Sequence, residues 1–275
     1  MLPRGLDPGA VRAVFLDLDG TVLHESRPSD AVAPAIARLQ ATGVRCVIAT
    51  GRMFTSARRI AAQLGVEGPL VCYQGAVVGD PATGELLRHE PLARATASRL
   101  ITAIHDAGYQ PIAFIDETVY VAVESETARL YSRGAGVPYR VVGDLARWLP
   151  DDVTKLVTAG DPHEMDALRD DLVGRFGESA FIAKSLPHYL EAAAPGVSKA
   201  SGGDLICELL GITAAECIAF GDGENDVEML AWAGYSVAVA GGHPPLLEAA
   251  DWVCPPLADD GVPRALEAIA VARGG

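Results

Sequence analysis

The sequence predicts an α/β protein whose core is a doubly wound, Rossmann-like parallel sheet carrying an inserted α+β cap domain. Over the first seventy residues, short apolar runs alternate with amphipathic stretches in a β-α-β-α-β rhythm, which implies parallel strands with right-handed crossovers. After about residue 83 the pattern changes to hairpins mixed with helices, and the parallel rhythm returns after about Pro187. At 275 residues the chain has room for one large core plus a smaller domain. The expected division is a core of residues 1–83 and 187–275, with a cap at 84–186.

Each element has its own signal. Residues 11–16 are apolar and β-branched, the signature of a buried strand. A helix should follow, with Ser29 as N-cap, Val32, Ala35, Ile36 and Leu39 at helical spacing, and Gly43 as its stop. Residues 44–49 read as the second strand, 53–64 as a helix and 69–73 as the third strand. In the insert, strands are expected at 86–90, 110–115 and 118–123, the last two joined by a tight turn at Asp116-Glu117. Helices at 94–107, 125–133 and 163–176 alternate with strands at 154–159 and 180–183. The core then resumes with a helix at 200–210, a strand at 217–220, a further helix and a strand at 236–239.

Composition narrows the partners. The net charge is −14, from 36 acidic and 22 basic residues. No basic stripe is present to displace counterions, so neither nucleic acid nor an anionic membrane surface is an expected partner. Cys46, Cys72, Cys207, Cys217 and Cys254 form no CxxC pair, a pattern of reduced, buried thiols. The first ten residues hold no apolar segment of the secretory kind, and no run approaches the roughly 18 apolar residues of a membrane span. A soluble cytoplasmic protein is expected, its oligomeric state left open.

The chemistry concentrates at strand ends. Asp17-Leu18-Asp19-Gly20-Thr21 follows the first strand directly, at the edge where open α/β sheets form ligand crevices. Two carboxylates spaced i, i+2 repel each other, and a hard cation with oxygen ligands, Mg²⁺, relieves that repulsion. Gly20 lets the backbone turn and offers its amide to an anion, and Thr21 adds a hydroxyl. Together these groups describe a phosphoryl-transfer site. Thr50 follows the second strand at the corresponding place, where a neutral hydroxyl can bond a phosphoryl oxygen. Lys199, just ahead of a helix, can neutralise a phosphoryl group in flight. Gly221-Asp222-Gly223-Glu224-Asn225-Asp226 closes another strand and opens a helix, where acidic residues also complement the helix dipole.

These motifs, together with Ile48-Ala49-Thr50-Gly51-Arg52 and Gly196-Val197-Ser198-Lys199, resemble in order and context those of the haloacid dehalogenase-like superfamily. More narrowly, the chain resembles the Cof-type (subclass IIB) phosphatases, whose cap is inserted between the second and third motifs. The likeness spans the whole chain, including Asp260-Gly261-Val262 and Leu266 near its end. The resemblance implies that Asp17 attacks phosphorus and becomes an aspartyl phosphate, with Asp19 as acid and then base. It implies Mg²⁺ held by Asp17, the Asp19 carbonyl and Asp222 with Asp226 in support. Gly20, Thr50, Gly51, Lys199 and Asn225 would hold the phosphoryl oxygens. Dehalogenases lack an aspartate at the place of Asp19, so C–halogen hydrolysis is not expected.

The chain departs from the family pattern at Gln74-Gly75-Ala76, where Asn-Gly-Ala is common, and at Gly241-Gly242-His243-Pro244-Pro245, where Gly-Asn-Ala is common. The competing readings are a phosphomutase of the same fold and a phosphorylation-dependent signalling module. The second lacks a general acid at the place of Asp19 and is about one domain long. The expected substrate is a small phosphorylated metabolite, a sugar phosphate or similar. The cap residues Arg129, Tyr131, Arg133 and His188 read as surface or cap-packing positions.

Overall fold

The computed structural model describes residues 4–274; residues 1–3 and 275, which the expected core takes in, lie outside the described residues. Five strands form a parallel sheet in the order Trp252–Cys254, Tyr235–Val239, Cys217–Gly221, Ala13–Leu16, Arg45–Ile48. Leu70–Cys72 prolongs it through a parallel bridge between Ala49 and Val71. The strand leading to Asp17 therefore lies between those leading to Thr50 and Asp222. Three motifs far apart in sequence become neighbours at one sheet edge.

The sheet is apolar on both faces because both are covered. Val14 and Leu16 face helices Val32–Gln40, Phe54–Leu64 and Gly261–Ala272. Ala13 and Phe15 face Lys199–Leu210 and Val227–Trp232, with Phe15 edge-on to Trp232 at 5.0 Å. This is the doubly wound core that the sequence predicts.

The inserted α+β cap contains a six-stranded sheet, ordered Tyr139–Val141, Thr118–Val121, Ile112–Ile115, Lys155–Ala159, Tyr189–Ala193, Phe181–Leu186. All pairings are antiparallel except that of Tyr139–Val141 with Thr118–Val121. Helices Arg94–Asp106 and Pro162–Phe176 cover one face. From the other face Phe114, Val119, Val121 and Val157 join the apolar cluster of the core. Asp116 and Glu117 both take positive φ, 48° and 57°, as a two-residue hairpin turn requires. Glu117 then reaches the core, accepting from the Thr55 amide at 2.7 Å and the Tyr73 hydroxyl at 2.6 Å. Helix Phe54–Leu64 has no capping side chain of its own, so the insert supplies the anion at its N-terminus.

Several local expectations change. Ser29 does not cap the first helix, which starts at Val32; its hydroxyl donates to Asp260 at 2.6 Å instead. Leu86–His89 pairs with Val77–Gly79, which in turn pairs with Leu70–Cys72, so this strand belongs to a sheet on the core side. Tyr189–Ala193 belongs to the cap sheet rather than to a resumed parallel core. It was not expected as a strand, and neither were Val77–Gly79, Tyr139–Val141 and Trp252–Cys254. Three of these four span only three residues, too short for alternation to register.

Gly75 has φ of +102°, and a Cβ there would stand 2.0 Å from the Ser198 carbonyl oxygen. Gly75→Ala should therefore lower stability by about 2 kcal/mol or more, measured as a fall in urea midpoint. Gly174→Ala, with nothing within 4 Å and an ordinary helical position, should leave the midpoint unchanged or raise it.

Candidate active site

Asp17 follows the strand Ala13–Leu16, its amide bonded to the Phe220 carbonyl at 3.0 Å. Its carboxylate is buried and meets Lys199 Nζ at 2.5 Å. The same ammonium donates to Asp226 Oδ1 at 2.6 Å. Asp226 Oδ2 accepts from the Asp222 and Gly223 amides at 3.0 and 2.9 Å, so both of its oxygens have partners. Thr21 donates to Asp222 Oδ1 at 2.7 Å. Carboxylate oxygens of Asp17, Asp222 and Asp226 all lie within 4.8 Å of one another.

Burial first, and then the neighbouring Asp226, push the Asp17 carboxyl well above its ordinary value, with Lys199 pulling the other way. The same two causes push Asp222 up to about 7. Burial alone would lower Lys199, but Asp17 and Asp226 outweigh it and hold the ammonium above its usual range. The cluster thus carries a surplus of negative charge that a divalent cation would relieve. Its donors are oxygens only. Gly20 keeps the approach to Asp222 open, since a Cβ there would stand 2.1 Å from Asp222 Oδ2. The buried Asn225 Oδ1 nearby has no hydrogen-bond partner. These residues fit a hard divalent ion.

Asp19 stands apart from the cluster. Its carboxylate accepts two bonds from Arg52, Nε at 2.7 Å and Nη2 at 2.6 Å, and Arg52 also reaches Ser26 at 2.7 Å. The metal-binding role expected of Asp19 concerns its main-chain carbonyl, so this pairing leaves it intact. The expected contribution of Gly20 does change: its amide donates to the Leu23 carbonyl at 3.1 Å and is spent. What Gly20 supplies is a turn at φ +88° and the space beside Asp222.

A cavity of about 180 Å³ opens onto this edge, with Asp17, Asp19, Thr50, Gly51 and Asn225 in its wall. Thr50 Oγ1 accepts from the Arg52 amide at 3.2 Å, which leaves its proton to donate. Lys199 lies behind this wall, bonded to Asp17, and Asp222 lines a neighbouring cavity with Gly223, Glu224 and His243.

Sequence reasoning missed the far side of the cavity. Lys155 donates to the Gly51 carbonyl at 2.6 Å and to Glu191 Oε2 at 3.0 Å, and its side chain is almost wholly buried. Gln74, noted only as a departure, donates to Glu191 at 2.9 Å and accepts from Asn225 at 3.0 Å. Ser185 donates to Glu191 Oε1 at 2.7 Å. Tyr131 and Tyr189 complete the wall. A signal existed: the chain has only three lysines, and Lys155 opens an apolar strand whose neighbour carries Glu191 in an alanine-rich run. The Gly241–Pro245 departure packs on Asp222, whose carbonyl accepts from the His243 amide at 2.7 Å.

An acidic cluster at the carboxyl edge of a parallel sheet, beneath an inserted α+β cap, is the plan of the capped α/β phosphatases. The chain belongs to the haloacid dehalogenase-like hydrolases, whose family model matches residues 14–266. It is 31% identical over 233 residues to the HMP-PP phosphatase of Cronobacter sakazakii, covering 84% of this chain and 85% of that one. It is 29% identical to the 5-amino-6-(5-phospho-D-ribitylamino)uracil phosphatase YitU of Bacillus subtilis, over 92% and 96% of the two chains. Among solved structures, TM0651 from Thermotoga maritima aligns with a TM-score of 0.77 at 30% identity, covering 94% of this chain and 97% of the other. The chain is a phosphatase of this family, like the relatives that it matches. No described helix is long and apolar enough to cross a membrane.

The raised carboxyl of Asp222 has a consequence for stability without metal. A carboxyl whose value is raised on folding favours the protonated folded state, so its cost is absent below about pH 4 and grows to full size above about pH 7. Asp222→Asn cannot ionise. In EDTA at pH 7.5 it should melt several degrees above the native sequence, and that advantage should shrink at pH 5. An advantage independent of pH would show that ionisation of Asp222 costs the fold nothing.

Proposed function

We propose that the chain is a Mg²⁺-dependent phosphomonoesterase working through an aspartyl phosphate on Asp17. The observation that carries this is the buried Asp17 carboxylate, fixed by Lys199 at 2.5 Å and exposed to the cavity beside a second aspartate held outside the acidic cluster. Asp17 attacks phosphorus, the bond to the leaving oxygen breaks, and Asp19 delivers the proton that oxygen needs. Water then attacks the acyl phosphate while Asp19 takes its proton, and the phosphorus–Asp17 bond breaks to release phosphate. Arg52 fixes Asp19 at the cavity wall in both half-reactions.

Thr50, Asn225 and Lys199 hold phosphoryl oxygens. Thr50 has a free proton, Asn225 Nδ2 has one proton beyond that given to Gln74, and Lys199 has a third beyond Asp17 and Asp226. Gly51 contributes the turn between Thr50 and Arg52. Asp17, Asp222 and the Asp19 carbonyl would hold Mg²⁺, with Asp226 supporting through Lys199 and the loop amides. When bound, the ion would supply positive charge that favours the ionised form of Asp17 and offsets the charge of the phosphoryl group.

The insert, expected at residues 84–186, serves as the specificity cap: Leu130, Tyr131, Lys155 and Ser185 reach the cavity from it, and Tyr189 and Glu191 follow from the next strand. The five free, buried thiols support a reducing, cytoplasmic setting. The named activities of the two relatives support a phosphorylated metabolite as substrate.

Asp17→Asn should cut turnover of p-nitrophenyl phosphate by at least a thousandfold with an unchanged circular dichroism spectrum, and loss of less than tenfold would sink the nucleophile assignment. Exhaustive EDTA should silence the native enzyme and Mg²⁺ restore it; full activity in chelator would contradict the metal requirement. Asp19→Asn should slow alkyl phosphates more than p-nitrophenyl phosphate, whose leaving group needs little protonation. Equal losses would remove Asp19 as the acid.

A further inference from the structure

Two of the five thiols meet each other, far from the cavity. Cys207, in helix Lys199–Leu210, and Cys217, first residue of strand Cys217–Gly221, place their sulfurs 3.6 Å apart. Both belong to the apolar cluster on one face of the core sheet. Cys46, Cys72 and Cys254 lie in the cluster on the other face, so the sheet separates them from this pair.

A disulfide needs about 2.05 Å between sulfurs, so the pair would have to close by roughly 1.5 Å. The strand side is anchored. The Glu216 carbonyl accepts the Arg12 amide at 2.8 Å, and the Ala214 carbonyl accepts the Gly234 amide at 2.8 Å. The helix side can give. It ends at Gly211, φ +66°, where a Cβ would meet nothing within 4 Å, and residues 208–216 are all exposed or partly exposed. The two cysteines flank that segment in the chain, so fraying of the helix end admits small solutes to their sulfurs.

We propose that Cys207 and Cys217 form a reversible oxidation site, which hydrogen peroxide converts to a disulfide stapling the helix headed by Lys199 to the strand that ends before Asp222. The Cys207 thiolate attacks peroxide: an S–O bond forms, the O–O bond breaks, and the departing hydroxide takes a proton to leave as water. Cys217 then attacks the Cys207 sulfenic acid. The S–S bond forms, the S–O bond breaks, and the second water leaves with the Cys217 proton. Two thiols lose two electrons and two protons, and one peroxide becomes two waters. Two equivalents of a small thiol reverse the change by exchange and leave as their own disulfide.

The order of attack follows from the surroundings. The Cys217 thiol donates to the Thr213 carbonyl at 3.4 Å, which holds its proton. Burial pushes both thiols up, but the contact with Cys217 pulls Cys207 the other way, whereas the same contact pushes Cys217 further up. Thiolate is therefore scarce at neutral pH, and oxidation speeds up as pH rises. The staple stands clear of the reaction. Cys207 lies eight residues beyond Lys199, ~12 Å along the helix, and Cys217 five residues before Asp222, ~16 Å along the strand.

The test treats the reduced full chain with hydrogen peroxide at pH 7.5 and pH 9. Thiols titrated after denaturation should fall from five to three, faster at pH 9, and dithiothreitol should restore all five. Peptide mapping should find Cys207 joined to Cys217. Turnover of p-nitrophenyl phosphate should stay within twofold of the reduced enzyme, while Tm rises by about 3 °C or more. Cys217→Ser should trap Cys207 as a sulfenic acid that dimedone labels, and Cys207→Ser should give neither crosslink nor label. Five thiols persisting at both pH values, or a disulfide joining any other pair, overturns the proposal. A crosslink that lowers Tm or abolishes turnover overturns the staple, and dimedone label on Cys217 in the Cys207→Ser chain overturns the order of attack.

Discussion

Asp17, Asp222 and Asp226 bring three carboxylates within 4.8 Å of one another, and a single ammonium, Lys199, is shared between two of them. At such spacing, out of water, like charges repel by several kcal/mol even with generous screening. The position of Lys199 is therefore a constraint on the whole core. It is the first residue of its helix, whose start is fixed by Ser198 and Ser201 bonding each other's amides at 3.2 and 3.0 Å. The helix must also come unusually close to the sheet. Gly202 permits this, since a Cβ there would meet Val71 at 2.3 Å, and Gly203 does the same beside Trp232 at 2.8 Å. Gly75 clears the Ser198 carbonyl. Three small residues thus set how far Nζ penetrates.

The cap repeats the same solution with the second buried lysine. Lys155 and Glu191 are diagonal neighbours on adjacent antiparallel strands, both nearly without solvent. Burying such a pair is weakly favourable at best unless other polar groups complete it. Here the Gly51 carbonyl, Ser185 and Gln74 do so. Two of these three belong to the core, so the pair is satisfied only with the cap seated. Gln74 sits at φ +60°, a conformation that costs a residue with a Cβ energy. Its bonds to Asn225 on one side and Glu191 on the other give that strain a return. An asparagine, one methylene shorter, would lose reach toward one partner. The departure from the family pattern at this position is thus the physical link between Asn225, at the Asp17 end of the cavity, and the cap.

The parallel core was legible because its strands are buried on both faces and end in motifs whose residue types have few other uses. Asp17, Thr50 and Asp222 stand at the ends of predicted strands, Asp226 in a first helical turn and Lys199 just ahead of a helix, and the residue types at those places single them out. The cap was legible only as a texture. Its short strands Tyr139–Val141 and Tyr189–Ala193 lack alternation, and Glu191 looks like a lone charge in an alanine run until the partner strand is paired with it. Non-local pairing cannot be read from spacing along one strand. Tyr131 read as a packing residue and does pack on Phe114, yet it also walls the cavity; one side chain does both. The Gly20 amide was misjudged for a local reason, because the Leu23 carbonyl folds back onto it within the same turn.

The two aspartates of the first motif are two residues apart and must behave differently, and the backbone separates them. Asp17 points into the buried cluster, while Asp19 lies on the cavity wall with its side chain about a third exposed, 30%, against 6% for Asp17. Separation alone would leave Asp19 mobile. The second motif prevents this, because the turn that presents Thr50 also aims Arg52 at Asp19, and the Thr50 hydroxyl accepts the Arg52 amide to hold that turn in shape. Burial disfavours the Arg52 charge, but the bond to Asp19 outweighs it and holds the guanidinium above its ordinary value. One three-residue turn therefore gives a neutral donor to the proposed phosphoryl site and a cation to the proposed acid–base group beside it. The cation is held by its own carboxylate, so in the proposed reaction charge neutralisation at the phosphoryl group falls to Lys199 and to a metal ion in the acidic cluster.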